Sequence, residues 1–393
     1  MSCAAAVLSA CGSTSTLQPP TPLVQISNPI DVTRVWALKD GQGIGSNYLK
    51  LGPVVADGRG FITDDTGELR AFDMKDGSTL WHTKLHLPVT GGVGYADQRV
   101  LVGTRRARVL ALDPKTGKVL WQTTVSSEVL SPPRGSDGVV VVRTIDGRLF
   151  GLDAADGHLL WTYDRGVPVL TLRGTSAPVI SNGIVIAGFD SGKLAALTLK
   201  DGTVLWEADV AIPHGRTELE RMVDIDGDPV VVGDTIYVAS YQGRVAAVQL
   251  DSGRLLWARD VSSYAGIAVD DKKVYVSDAT GQVWALDRYS GATLWKQDKL
   301  LHRYLTAPAV YGAYVVVGDL DGYLHWMSRD DGRLVARIRI SEPDDVFALL
   351  EPSTGDDRYV ERRDVLAPPV VADNLLMAVD RRGVLAAYRV AAK

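Results

Sequence analysis

Short alternating runs of apolar and polar residues recur along the whole chain, each bounded by Gly, Pro, Asn or Asp. Gly183-Ile184-Val185-Ile186-Ala187-Gly188 and Asp234-Thr235-Ile236-Tyr237-Val238-Ala239 are typical. Their length, period of two and β-branched content predict strands, and no segment shows a sustained helical period. One phrase dominates: Gly-x-Leu-x-Ala-Leu-Asp-x-x-x-Gly-x-x-Leu-Trp. It is clear from Gly67 to Trp81, from Val109 to Trp121 and from Gly147 to Trp161. Further copies end at Trp206, Trp257 and Trp295. A seventh, from Gly322, ends at Ala336 without its tryptophan, and the last, from Gly383, stops at Tyr388 before any closing strand.

The residues of the phrase explain its shape. The Leu-x-Ala-Leu part predicts a half-buried strand, and Asp then opens a turn by accepting backbone amides two residues on. The following Gly supplies the positive φ of that turn. A Trp once per unit is expected to wedge between neighbouring units, burying a large apolar area at each junction. The spacing of the closing positions suits a four-stranded blade. Thr33-Arg34-Val35-Trp36-Ala37-Leu38 is a closing strand with no copy before it, so it completes the unfinished last unit. The expected fold is all-β: an eight-bladed β-propeller of four-stranded antiparallel blades over 30–393, its ring closed by the N-terminal strand joining the C-terminal blade. Closure of that kind removes the sheet edges that invite aggregation.

Before the repeat, Leu8-Ser9-Ala10-Cys11 reads as a lipobox, cut ahead of a cysteine whose sulfur carries the lipid. Residues 1–11 are thus expected to be a signal peptide remnant, and 12–29, rich in Ser, Thr, Pro and Gln, a flexible tether. The apolar run is short and no Lys or Arg precedes it, which implies a start upstream of Met1. Gly12, where Asp would retain a lipoprotein at the inner membrane, favours the outer membrane.

The 393 residues carry a net charge of -5, which argues against a nucleic-acid partner. Both cysteines, Cys3 and Cys11, precede the fold, so it has no disulfide, thiolate nucleophile or cysteine metal cage. His82, His86, His158, His214, His302 and His325 are scattered without ligand spacing and read as structural or surface residues. Gly41-Gln42-Gly43-Ile44-Gly45 precedes no helix pattern, which disfavours a phosphate cradle, and Asp319-Leu320-Asp321-Gly322 reads as a turn and not a calcium loop. Asp270-Asp271, Asp330-Asp331 and Asp344-Asp345 are expected to be solvated turn residues. No catalytic, metal or cofactor residue is expected.

The repeat resembles the pyrroloquinoline-quinone-type propeller repeat. Leu170-Thr171-Leu172-Arg173-Gly174-Thr175-Ser176-Ala177-Pro178, Arg221-Met222-Val223-Asp224-Ile225-Asp226, Leu300-Leu301-His302-Arg303-Tyr304-Leu305-Thr306 and Gly322-Tyr323-Leu324-His325-Trp326 make the resemblance more specific. Over 30–393 the chain is similar to the BamB family, lipoproteins of the outer-membrane β-barrel assembly (BAM) complex. That resemblance implies a non-catalytic scaffold on the periplasmic side of the outer membrane. It would bind the POTRA domains of BamA through Leu170, Leu172, Arg173, Asp224 and Asp226, and it leaves open contact with unfolded outer-membrane proteins. The residues themselves are also compatible with Leu170 and Leu172 in the core and Arg173 paired locally. Two other readings of the repeat stand beside it: a quinone-dependent dehydrogenase, which needs a calcium site and often a cysteine pair that this chain lacks, and a propeller that binds other ligands. Residues 341–364, dense in Asp, Glu and Arg, read as a charged insertion.

Overall fold

A computed structural model describes residues 18–27, 30–340 and 363–391. These form thirty-two strands in eight four-stranded antiparallel sheets. There is no helix among the described residues. The first blade runs from Val54–Ala56 through Arg59–Thr63 and Glu68–Asp73 to Thr79–Lys84. The next six repeat this order, ending with Leu334–Arg339. The eighth consists of Val370–Ala372, Leu375–Val379 and Val384–Val390, completed by Val32–Lys39. Val32 pairs with Val390 and Lys39 with Val384, so the two ends of the chain share one sheet.

Within each blade the first strand is innermost, since successive first strands touch one another around the axis. The third strand was expected to be half-buried but is buried on both faces: Leu69, Ala71 and Phe72 are each 0% exposed. The reason is its place in the middle of a blade clamped between two neighbours. Solvent alternation survives only on the fourth strand, as in Thr79–Lys84, where Leu80 is exposed at the perimeter.

The tryptophans act as expected, and each also anchors a polar group. Trp36 donates its indole N–H to the Met74 carbonyl in the next blade at 2.9 Å. Trp81 reaches Pro114, Trp121 Ala154 and Trp161 Leu199 in the same way. Trp206, Trp257 and Trp295 continue the series to Leu250, Arg288 and Arg329. The accepting turn is the one that Asp opens; Asp113 Oδ1, for example, takes the Lys115 amide at 2.8 Å. Its glycine has two reasons to be glycine. Gly157 has φ 78°, and a Cβ there would lie 2.5 Å from the Trp121 ring.

The missing seventh tryptophan follows from closure. Ala336 faces the eighth blade, whose third and fourth strands come from opposite ends of the chain. No turn joins them, so there is neither a glycine seat nor a free turn carbonyl for an indole. Trp326 and Tyr388 fill that junction instead, ring centroids 6.1 Å apart. Of the stretch expected as a tether, residues 18–27 lie along the sixth and seventh blades. The Thr21 amide donates to Leu301 O at 3.0 Å, and Ile26 packs on the core there. Cys11 lies outside the described residues, as does the charged insertion except Arg363 and Asp364.

Candidate functional site

Strands alternate in direction across a blade. The connections between blades and the turns between second and third strands therefore emerge at one end of the ring, here called the mouth face. Residues 165–178, between the third and fourth blades, and 210–229, between the fourth and fifth, both lie there. All five expected contact residues come together on these two connections.

Their roles differ from a simple patch of charge. Residues 212–221 are exposed, and the chain then turns inward, so that Asp224 is 0% and Asp226 5% exposed. It is pinned on both sides: the Ile225 amide donates to Phe189 O at 3.3 Å and the Tyr241 amide to Asp224 O at 2.8 Å. From this buried strip the carboxylates hold the neighbouring loop. Asp224 Oδ2 accepts the Leu172 amide. Asp226 Oδ1 lies against Gly174, where a Cβ would come within 2.8 Å. Asp228 Oδ1 accepts the Ala177 amide at 2.7 Å. Arg173 does not reach these acids. It forms a two-pronged pair with Glu128 at 3.0 and 3.1 Å, and Arg105 joins at 3.6 Å.

Glu128 and Asp228 were missed. The alternation Asp224-x-Asp226-x-Asp228 is visible in the sequence as an extended acidic strip. Glu128 carries no comparable signal, because its partner is 45 residues away.

Burial dominates the electrostatics. It pushes the Asp224 carboxyl up to about 7, against the help of the Leu172 amide, and the Asp226 charge adds to the rise. Burial likewise raises Asp226 to about 6, partly offset by Lys50 and by Arg143. Beneath them the buried Arg143 bonds Asp190 at 2.6 Å and Ser176 at 2.9 Å. Asp224 and Asp228 hold the loop through the Leu172 and Ala177 amides.

Among charged residues such as Arg165, Arg216 and Glu218, the loops also expose apolar side chains. Leu170 is 41% exposed, Val169 92%, Ile212 55% and Leu219 61%. Leu172 is half-buried, neither core nor free.

Other candidate chemistry resolves into structure. Asp319 is a turn residue as expected: its Oδ1 takes the amides of Asp321 and Tyr323 at 2.9 Å each. Its Oδ2 holds Arg303 at 2.7 Å and the fully buried His325 at 2.8 Å. Asp153, Asp156 and His158 lie close enough to suggest a metal group among the described residues. They sit in a third-to-fourth strand turn at the opposite end, where Asp153 and Asp156 already accept the Ala155 and His158 amides at 2.7 and 3.0 Å. Asp270, expected to be solvated, is instead held by Tyr275 at 2.7 Å and by Arg329. Arg329 reaches it from the next blade, 59 residues further on, which is why adjacency in sequence did not show it.

Residues 35–297 match the family described as "Outer membrane protein assembly factor BamB". A relative of that name from Pseudomonas aeruginosa is 48% identical over 322 residues, covering 82% of this chain and 85% of its own. The crystal structure of BamB from Moraxella catarrhalis superposes with a TM-score of 0.80 at 28% identity, covering 91% of this chain and 100% of that one. A quinohemoprotein alcohol dehydrogenase from Comamonas testosteroni reaches a TM-score of 0.68 at 13% identity, over 91% of this chain and 76% of that one. The last likeness is one of fold alone.

Proposed function

Because the chain belongs to the family of the outer membrane protein assembly factor BamB, we propose that it is a non-enzymatic scaffold of the outer-membrane protein assembly machinery, docking on the POTRA domains of BamA at the periplasmic side of the outer membrane. The observation that carries the docking site is convergence. Leu170, Leu172 and Arg173 lie on one connection and the buried Asp224 and Asp226 on another, yet the two meet, with Asp224 bonding the Leu172 amide and Asp226 lying against Gly174. In this reading Leu170 and Leu172 are the anchors, with Val169 and Leu219 around them. Arg173, held flat by Glu128, presents its remaining edge to the partner. Asp224 and Asp226 act from below by fixing the loop, so their loss weakens docking without their touching BamA.

A further part of the reading concerns the membrane. Cys11 carries the lipid and tethers the propeller. Substituting Cys11→Ala releases the protein into the soluble periplasmic fraction; recovery with membranes would place the anchor elsewhere.

The decisive test of docking is Leu172→Ala with Arg173→Ala. The double variant melts as the parent does, because both side chains lie outside the blade cores, but captures BamA from solubilised membranes at least about tenfold less well. Unchanged capture would remove these loops from the interface.

A further inference from the structure

The axial channel opens on the same mouth face, into a cavity of about 320 Å³. This is within the range of small-ligand and side-chain pockets. We propose that this channel mouth is a binding site for an extended polypeptide segment, which inserts one apolar side chain into the channel and hydrogen-bonds its main chain to the rim. The inference goes beyond the assembly role, and its occupant is a chain segment and not the folded partner domain.

The first argument is the wall. One arc of the cavity is polar and unsatisfied. Ser131 Oγ, Thr175 Oγ1 and Asp226 Oδ1 all line it, are buried, and have no hydrogen-bond partner among the described residues. Ser131 is 2% and Asp226 5% exposed. Leaving one such group unmatched costs about 1–3 kcal/mol, so three on one wall call for an explanation. Across from them, the Lys50 ammonium lines the cavity with one protein acceptor, Tyr264 O at 3.3 Å. A peptide group supplies what this arc lacks: an N–H for the Asp226 carboxylate and a C=O for Lys50 or a hydroxyl. Arg134, Arg173 and Asp228 also line the cavity, and the stretch made by Pro53, Val54, Ile267, Pro308 and Val370 is apolar and suits a side chain.

The second argument is the rim. Tyr48, Tyr264 and Tyr304 come from three different connections, Tyr241 from a turn between second and third strands, and the four converge. Tyr241 and Tyr264 meet edge to face with centroids 6.4 Å apart. Burial raises the Tyr264 hydroxyl, and the hydroxyls of Tyr48, Tyr304 and Tyr241 lie near enough to raise it further. Tyr48, which lines the cavity, is 48% exposed and Tyr304 is 52% exposed. Half-exposed tyrosines give large contact area with two rotatable bonds and a polar tip, the composition of adaptable peptide-binding surfaces.

The third argument is backbone strain. Tyr304 has φ 50° and His302 φ 60°. Positive φ is uncommon for bulky residues and persists only where surroundings impose it. Here Arg303, between them, is drawn inward onto Asp319 at 2.7 Å and onto Thr21 O at 3.1 Å. That pull turns Tyr304 outward, toward the mouth.

The probe is a terminally blocked, fluorescein-labelled hexapeptide alternating threonine and phenylalanine, titrated with the full chain and read by anisotropy. Saturable binding is expected, at least about tenfold weaker in Val370→Trp, which fills the channel from the wall opposite the docking loops. The same loss is expected in Tyr48→Ala, an exposed position whose substitution leaves the melting curve unchanged. A peptide with serine replacing phenylalanine should not saturate. Absence of saturable binding, equal affinity in a folded Tyr48→Ala variant, or equal binding of the serine peptide would overturn the site. BamA capture separates this from the docking reading: Val370→Trp should retain it, while Leu170→Ala with Leu172→Ala, neither of which lines the cavity, should lose it and still bind the peptide.

Discussion

Seven junctions between blades and the two connections at the mouth solve opposite problems. At a junction, an indole lies on a glycine and its one N–H finds one carbonyl, as for Trp121 and Ala154 at 2.9 Å. The indole N–H is matched at all seven, and the ring itself makes apolar contact. At the mouth, carboxyls are buried with one oxygen each unmatched, Asp224 Oδ1 and Asp226 Oδ1. The junctions are built for stability, and the mouth gives up stability to hold a loop in one shape. That division is typical of proteins whose site is grafted on a regular scaffold.

The contrast can be broken most severely at the closure. Removing residues 32–39 deprives the last blade of its outer strand and exposes an edge along Val384–Val390. Loss of cooperative melting, followed by circular dichroism, is expected; a truncated chain that melts like the intact one would mean the ring does not depend on that strand. Next in size is Trp121→Ala, which leaves a cavity and an unpaired Ala154 carbonyl and should cost about 3–5 kcal/mol in denaturant unfolding. The reverse change at the odd junction, Ala336→Trp, should not stabilise, because no turn glycine receives the ring. Gly157→Ala ranks below these at about 1–3 kcal/mol, from the left-handed φ and the Trp121 contact together.

The same division governs what could be read from sequence. Blade number, strand order and the composite last blade follow from a repeat whose Asp, Gly and Trp each have a local job. Even the lapse at Ala336 was visible, although its cause needed the ring to be closed. The mouth was legible only in part. Leu170 to Arg173 and the aspartates were found by family likeness, and their division of labour was not. Whether Arg173 pairs with Asp224 or Glu128 depends on which connections lie side by side, and that is a property of blade geometry. The tyrosine rim is scattered over Tyr48, Tyr241, Tyr264 and Tyr304, so no local pattern marks it.

Proton uptake sharpens the comparison, since only the mouth should feel it. Asp224 and Asp226 rise to about 7 and about 6 when folded, from an ordinary value of 3.8. A carboxyl whose folded pKa is raised favours the folded loop while it stays protonated. That advantage is lost as pH climbs from about 4 through 7. The cations Arg143 and, at Asp226, Lys50 moderate the rise, while the charge of Asp190, itself raised by burial, adds to it. Amide exchange in 165–178 should therefore quicken between pH 5 and 8 while exchange in the junction strands, corrected for intrinsic rate, does not. Asp224→Asn keeps an acceptor for the Leu172 amide without the charge and should flatten most of the dependence. A loop whose corrected exchange is constant over that range would show that ionisation of these carboxyls does not reach it.

The smallest expected effect separates positioning from contact. Glu128 is 10% exposed at its side chain while its partner Arg173 is 51% exposed, so the pair sits at the boundary where ion pairs contribute about 0.5–1 kcal/mol. Glu128→Gln keeps one hydrogen bond to Arg173 and removes the charge, and the melting temperature should hardly move. Docking should weaken by about two- to fivefold, because the guanidinium loses the two-point hold that keeps it flat. The informative variant is Arg173→Ala in the Glu128→Gln background. If Glu128 acts only through Arg173, the double variant binds BamA no worse than Arg173→Ala alone. Additive losses would mean that Glu128 meets the partner directly, and the scaffold would then extend its contact to the connection between the second and third blades.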